Sequence, residues 1–176
     1  MTIAPRARFA LKTLFVLLSC SRLIMFSSEV SAAAGNQVKP IFQNVLSNEL
    51  FLLDLNADRS AAGLAPLRMN DELNVAAESK AKDMIANNYW DHFRPSDHKA
   101  PWEFIDESGY AYRVAGENLA RGFRTEAGIT DAWMKSPAHR ANMLSNKYRE
   151  VGFASIYTYD ETGVRILLSV EMFGAK

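Results

Sequence analysis

The chain has 176 residues, of which 48% are hydrophobic and 23% charged, and its 20 basic residues balance 20 acidic ones. These values are typical of a globular protein and exclude wholesale disorder, collagen-like repeats and a coiled coil, while the balanced charge argues against nucleic-acid binding. The single cysteine excludes a disulfide scaffold and CxxC metal-ligand pairs. The length predicts one domain, with room for an appendage.

The N-terminal segment differs from the rest of the chain. Three basic residues fall within the first 12 positions, and they are followed by an apolar run over residues 14–18 and by small residues over 31–35. That order is the layout of a secretory signal peptide. We therefore predict a signal peptide over residues 1–34, a linker over 35–45 and one domain over 46–176.

Two alternatives to cleavage remain open. Residues 9–26 could stay as a membrane anchor, but Lys12 and Arg22 lie within them, and a charge near the centre of a spanning helix costs about 2.5–3.5 kcal/mol on insertion scales. Residues 17–20, which end in Cys20, resemble a lipid-attachment box, so lipidation is the second alternative.

Cleavage is the interpretation that we favour. It leaves 16 basic against 19 acidic residues after residue 35, a net charge of −3, and no cysteine. We expect this mature form to be secreted, extracellular or periplasmic, without a stable membrane span and without affinity for nucleic acid.

The first predicted helix follows the linker. Leu46, Leu50, Leu53 and Ala57 recur at helical spacing and predict an amphipathic helix with these residues on its buried face. Gly63 is expected to end the helix.

The second predicted helix begins after Asn70, a residue type favoured at the N-cap. Asp71 and Glu72 follow in the first turn, where acidic side chains stabilise the positive end of a helix. The small side chains of its stripe predict close packing against a neighbouring layer. The stripe consists of Leu73, Ala76, Ala77, Ala81 and Met84.

Three shorter helices and two strands complete the pattern. A helix is predicted from Pro101 to Gly109, with proline first and glycine last, and another from Thr125 to before Pro137, followed by a further turn over 138–144. Residues 151–159 and 164–173 then alternate as the two strands of a hairpin. Helices first and strands last predict an α+β protein with helices packed on an antiparallel sheet.

The three histidines are His92, His98 and His139. Each could ligate a metal, act as an acid or base, or be structural. His92 lies among aromatic residues that could wall a cleft, and His139 lies near the start of a short helix, where a neutral imidazole is favoured. His98 lies in a polar loop and is expected to be solvated.

A carboxylate and three tryptophans complete the candidate set. Glu117 could orient an imidazole, or it could receive backbone N–H bonds in a tight turn, and the sequence leaves both open. Trp133 is expected in the core. Trp90 and Trp102 flank the His92 loop and could line a cleft, although core packing is the simpler interpretation.

In this order the motifs resemble the CAP superfamily of cysteine-rich secretory, antigen 5 and pathogenesis-related proteins, and more narrowly its compact, disulfide-free bacterial branch. The resemblance covers about residues 46–174. Its motifs lie at 55–59, 63–67, 76–84, 92, 101–102, 116–120, 133–144 and 148–153.

The resemblance implies an α+β fold in the form of a three-layer α-β-α sandwich with a central antiparallel sheet and a broad cleft. In this family two histidines and two glutamates converge on the cleft and can hold a divalent cation. His92, His139 and Glu117 match both histidines and the first glutamate, whereas the second glutamate falls on Ser136. We therefore predict His92 and His139 as metal ligands, with Glu117 orienting them, for a weakly bound zinc, calcium or magnesium ion that is not a required cofactor.

Three functions remain open. We favour a non-enzymatic extracellular binding domain for a lipid-like, glycan or protein ligand, because the acid set is incomplete. The alternative is a weak metal-assisted or serine-type hydrolase that uses His92, Glu117, His139 and Ser136, although we expect Pro137 to stiffen the turn and point Ser136 away from His139. A third interpretation is a purely structural polar cluster.

Overall fold

The computed structural model describes residues 45–176. The predicted signal peptide and the linker up to residue 44 lie outside the described residues. The described part contains five helices and a four-stranded sheet. The helices are α1 (Asn48–Ala61), α2 (Asp71–Ala86), α3 (Pro101–Glu107), α4 (Glu126–Lys135) and α5 (Pro137–Met143). The strands are β1 (Arg68–Met69), β2 (Val114–Arg121), β3 (Glu150–Tyr159) and β4 (Arg165–Ala175).

The helix starts follow the predicted local signals. The side chain of Asn70 accepts a hydrogen bond from the Leu73 N–H, and that of Thr125 accepts one from the Gly128 N–H. Each bond satisfies a backbone donor that has no partner within the helix. The predicted positions of α2 to α5 and of the β3–β4 hairpin are therefore confirmed.

The sheet has the strand order β1-β3-β4-β2 and carries helices on both faces. Alternate residues of each strand face opposite layers. On β4, Leu168 and Val170 pack with α2 and α3, whereas Leu167 and Phe173 pack with α1, α4 and α5. This confirms the α-β-α sandwich. The sheet is antiparallel except for the short β1–β3 pair, which is parallel.

The predicted buried face of α1 is wrong. Leu50 and Leu53 are 49% and 64% exposed, and the helix buries Phe51, Leu55 and Arg59 instead. Both sets recur at helical spacing, so periodicity could not choose between them. Burial of the large Phe51 ring, which stacks on Phe153 at 4.8 Å, selects the observed face.

One glycine lets α2 and the sheet approach each other closely. A side chain at Gly152 on β3 would overlap the backbone of Leu73 and Asn74. Only a residue without a Cβ allows this contact. The fully buried alanines at 76, 77 and 81 follow along the same helix, which fits the close packing predicted from their size.

Strand β2 was not predicted from the residue pattern. Gly116, Glu117 and Asn118 lie in this strand and not in a tight turn. Glycine, asparagine and glutamate are all depleted in strands, which explains the omission. Among the strands of the described part, β2 lies at an edge of the sheet and pairs with β4 alone.

Side chains from neighbouring segments satisfy the outer edge of β2. The carbonyl oxygens of Ala115, Glu117 and Leu119 accept hydrogen bonds at 3.2, 3.1 and 3.0 Å. The donors are Tyr148 Oη, Asn142 Nδ2 and Trp133 Nε1, in that order. Three successive outward-facing carbonyls are thus paired without a further strand.

Candidate functional site

The first part of the site is an imidazole–carboxylate pair. The loop after α2 places His92 Nδ1 2.5 Å from Oε1 of Glu117 on β2. The Glu117 side chain is only 3% exposed, whereas that of His92 is 48% exposed. The hydrogen bond that His92 donates to Glu117 raises the pKa of His92, and burial raises the pKa of Glu117 against the opposing effects of His92 and Lys80. The pairing leaves Nε2 as the ring nitrogen of His92 that can meet a ligand.

The second part is a serine–histidine contact. Ser136 is the C-cap of α4 and the N-cap of α5, and its Oγ lies 2.9 Å from Nδ1 of His139. The expectation that Pro137 would point these side chains apart is therefore wrong, since the first turn of α5 brings residues 136 and 139 to the same side. The pKa of His139 is lowered, first by burial and then by the charge of His92. Burial thus favours the neutral imidazole, whereas the sequence-based prediction attributed that form to the start of the helix.

A hydrogen-bonded network fastens α5 to β2. Asn142 Nδ2 donates to the carbonyl of Glu117 at 3.1 Å and to Oδ1 of Asn118 at 2.9 Å. Asn118 Nδ2 in turn donates to the His139 carbonyl at 3.3 Å and to Oε2 of Glu171 at 2.8 Å. The backbone that carries His139 is thereby tied to the strand that carries Glu117.

Glu171 is the buried member of this network that the sequence analysis missed. It is fully buried on β4, and its Oε1 has no hydrogen-bond partner among residues 45–176. Burial raises the pKa of Glu171 to about 8, so the carboxyl is neutral at pH 7. An acid inside the apolar run of residues 166–173 was the available signal.

The remaining candidates lie apart from these contacts. His98 is exposed in a loop with a φ of 61°. Trp133 is buried, as predicted. Trp102 is 43% exposed and packs nearly perpendicular to the ring of Phe93, the neighbour of His92, with 5.8 Å between the ring centroids. Trp90 is partly buried against the α2–α3 core.

The donor set does not fit a tightly held metal ion. Among residues 45–176, no group of three or more His, Cys, Asp or Glu side chains could hold one. Structural zinc takes four protein ligands and catalytic zinc usually three. Glu117 already pairs with His92, and the position that the resemblance assigns to a second glutamate holds Ser136.

Two grooves lie elsewhere on the surface. One of about 430 Å³ runs between α4 and α5, and one of about 840 Å³ lies between the end of α2 and the β3–β4 hairpin. Neither is lined by His92, Glu117 or His139. The first is lined by Met134, Lys135, Pro137, Arg140, Ala141 and Leu144.

Solved structures share this architecture. An outer surface protein of Borrelia burgdorferi superposes with a TM-score of 0.64 at 19% identity, over 77% of this chain and 99% of that one. An extracellular protein containing a SCP domain from Bacillus anthracis superposes with a TM-score of 0.59 at 24% identity, over 73% of this chain and 40% of that one. At identities this low, the superpositions establish the class of fold alone, which is that of SCP domains.

The sequence comparison then gives the family. Residues 52–171 match the profile of the CAP, or cysteine-rich secretory protein, family, and the chain belongs to that family. This confirms the resemblance drawn from the motifs. The uncharacterized protein YkwD of Bacillus subtilis is 37% identical over 97 residues, which make up 55% of this chain and 37% of YkwD. The matched part thus spans little more than a third of that relative.

Proposed function

We propose that this chain is a secreted, non-enzymatic binding domain whose His92–Glu117–His139 cleft holds a divalent cation weakly and whose surface takes an extracellular ligand. The observation that carries the proposal is the engagement of both Nδ1 atoms, one by Glu117 and the other by Ser136. Each imidazole is oriented by a neighbour, as in histidine metal ligands, yet only two Nε2 atoms remain. That arrangement favours reversible binding over a permanent metal centre.

Secretion is supported by several observations. The N-terminal segment has the order of charges and apolar residues expected of a signal peptide. Among residues 45–176, no helix is long and apolar enough to cross a membrane. The similar solved structures include a protein described as extracellular and another described as an outer surface protein.

The donor atoms predict the order of cation preference. Imidazole nitrogens suit zinc, whereas calcium and magnesium prefer oxygen ligands. We expect zinc to bind more tightly than either, and with lower affinity than at a site with three or four protein ligands.

The organic ligand is proposed to be lipid-like, a glycan or a protein. The groove between α4 and α5 supports the first of these, because Met134 and Leu144 form an apolar lining while Lys135 and Arg140 add positive charge. Such a lining suits a ligand with an apolar body and an anionic end.

The test is calorimetric titration of the purified protein with zinc, calcium and magnesium. The His92→Ala/His139→Ala double variant is compared with wild type, and His98→Ala serves as the matched control because His98 lies in an exposed loop. Saturable zinc binding that survives in the control and disappears in the double variant supports the proposal. Equal binding heats in all three proteins, together with a lower melting temperature of the double variant, would contradict the cation site. The two histidines would then belong to a purely structural polar cluster.

The hydrolase alternative has one observation in its favour, the 2.9 Å contact between Ser136 and His139. A serine nucleophile needs a base that is itself held by a third group. Among the described residues no carboxylate hydrogen bonds to His139, and Glu117 orients His92 instead. Hydrolysis of an ester or peptide panel that Ser136→Ala abolishes, with folding intact, would favour the hydrolase.

A further inference from the structure

A buried cation lies beneath the His92 loop. The side chain of Lys80 on α2 is fully buried, and transfer of an ammonium from water to the interior is costly unless its hydrogen bonds are replaced. Lys80 Nζ donates to Tyr89 Oη at 3.1 Å and to the carbonyls of Asp91 and His92 at 3.0 and 2.6 Å. All three hydrogen bonds of this ammonium therefore go to the loop that carries His92.

These bonds bear directly on the position of the imidazole. Residues 87–100 form neither helix nor strand, so no regular hydrogen-bond ladder fixes the backbone of residue 92. Lys80 supplies the missing constraint, because two successive carbonyl groups converge on one nitrogen. The rings of Tyr89 and Phe104 lie 4.8 and 5.5 Å from Nζ and enclose it further.

We propose that Lys80 is the positioning residue of the His92–Glu117 pair. It holds the loop so that Nδ1 meets Glu117 and Nε2 stays available to a ligand. The proposal rests on the proposed function only in that the pair serves a binding site. A buried lysine that merely filled the core would stabilise the fold without controlling this contact.

The test uses ¹⁵N-labelled protein and the Nδ1–H proton of His92. Bonded to a buried carboxylate, this proton is expected to exchange slowly and give a downfield signal, which is assigned by its loss in His92→Gln. In Lys80→Met we expect the signal to disappear while the protein remains folded. Zinc affinity is expected to fall about 10- to 100-fold, the usual effect of removing a group that orients a metal ligand.

The matched control is Lys82→Met. Lys82 lies two residues further along α2, and its side chain is 43% exposed and pairs with Glu78 at 2.6 Å. Its loss should therefore leave both the signal and the zinc affinity unchanged. If Lys80→Met does not fold, Lys80→Gln replaces it, because its shorter side chain is uncharged and cannot reach both carbonyls.

The two proposals fail in different ways. A folded Lys80 variant with the wild-type Nδ1–H signal would overturn the positioning role, and so would a wild-type protein without that signal. If wild type binds no zinc, the proposed function fails, and the signal alone then decides for or against Lys80.

Discussion

The neutral, buried Glu171 makes a quantitative prediction about stability and pH. Its pKa is about 8 in the folded protein, against an ordinary value of 4.5. Between these values the folded chain keeps a proton that the unfolded chain loses, so the free energy of unfolding falls as the pH rises. The slope from this one group is about 1.4 kcal/mol per pH unit, and the loss reaches roughly 3 kcal/mol between pH 4.5 and 7.

Glu171→Gln isolates this effect. The amide oxygen can accept from Asn118 Nδ2 as Oε2 does at 2.8 Å, and its NH₂ group occupies the place of the unpaired oxygen, so glutamine mimics the protonated acid. We expect similar stabilities of the two proteins near pH 4.5 and a variant that is more stable by about 3 kcal/mol near pH 7.

The assay is urea unfolding at half-unit steps from pH 4.5 to 8, with the difference between the two proteins plotted against pH. Every other titrating group is present in both chains and cancels to first order. A difference that stays flat over this range would refute the reasoning, because it would mean that Glu171 titrates alike in the folded and unfolded chains.

Three further substitutions, the first with a control, test the packing of α2, the buried Arg59 and the His92–Glu117 pair. Gly152→Ala forces a Cβ into the backbone of α2 and should lower the free energy of unfolding by about 3 kcal/mol or more, measured from urea midpoints. The control is Gly163→Ala, in an open turn with a φ of 80°, which should lower it by only about 1–2 kcal/mol. Arg59→Met leaves three backbone carbonyls unpaired that accept hydrogen bonds of 2.7–3.0 Å from Arg59. The free energy of unfolding should fall by at least about 2 kcal/mol in the same assay. An unchanged value would contradict a stabilising role for this buried cation. His92→Gln removes a stabilisation that is present below pH 6.5, the ordinary pKa of histidine, and that is lost as the pH rises through the raised pKa of His92. The variant should therefore melt at a lower temperature than wild type at pH 5.5 and at a similar temperature at pH 9. The opposite trend would count against the ion pair.

The sequence predicts most of the framework because its signals are local. Asn70 and Thr125 mark helix starts through their own side chains, and the alternation in β3 and β4 identifies the hairpin. The buried face of α1 and the formation of strand β2 depend instead on contacts with residues that are distant in the sequence. Phe51 is buried because Phe153 and Trp133 lie opposite it, and β2 exists because β4 and three distant side chains pair with it.

The candidate site shows the same division. The motifs select His92, Glu117, Ser136 and His139, and the structure joins them into two contacts. Lys80 was not predicted because a lysine in a helix is ordinarily exposed, although this one lies in the alanine-rich stripe that α2 buries. Its importance depends on the path of a loop up to 12 positions further along the chain, which no spacing rule encodes.

The capped edge of β2 also decides how this domain can meet other molecules. An exposed edge strand usually invites backbone pairing with another chain, which leads to strand addition or aggregation. Here Trp133, Asn142 and Tyr148 occupy the positions that an incoming strand would need. Strand addition at this edge is therefore blocked, and a partner that approaches this side must be recognised through its side chains or its shape.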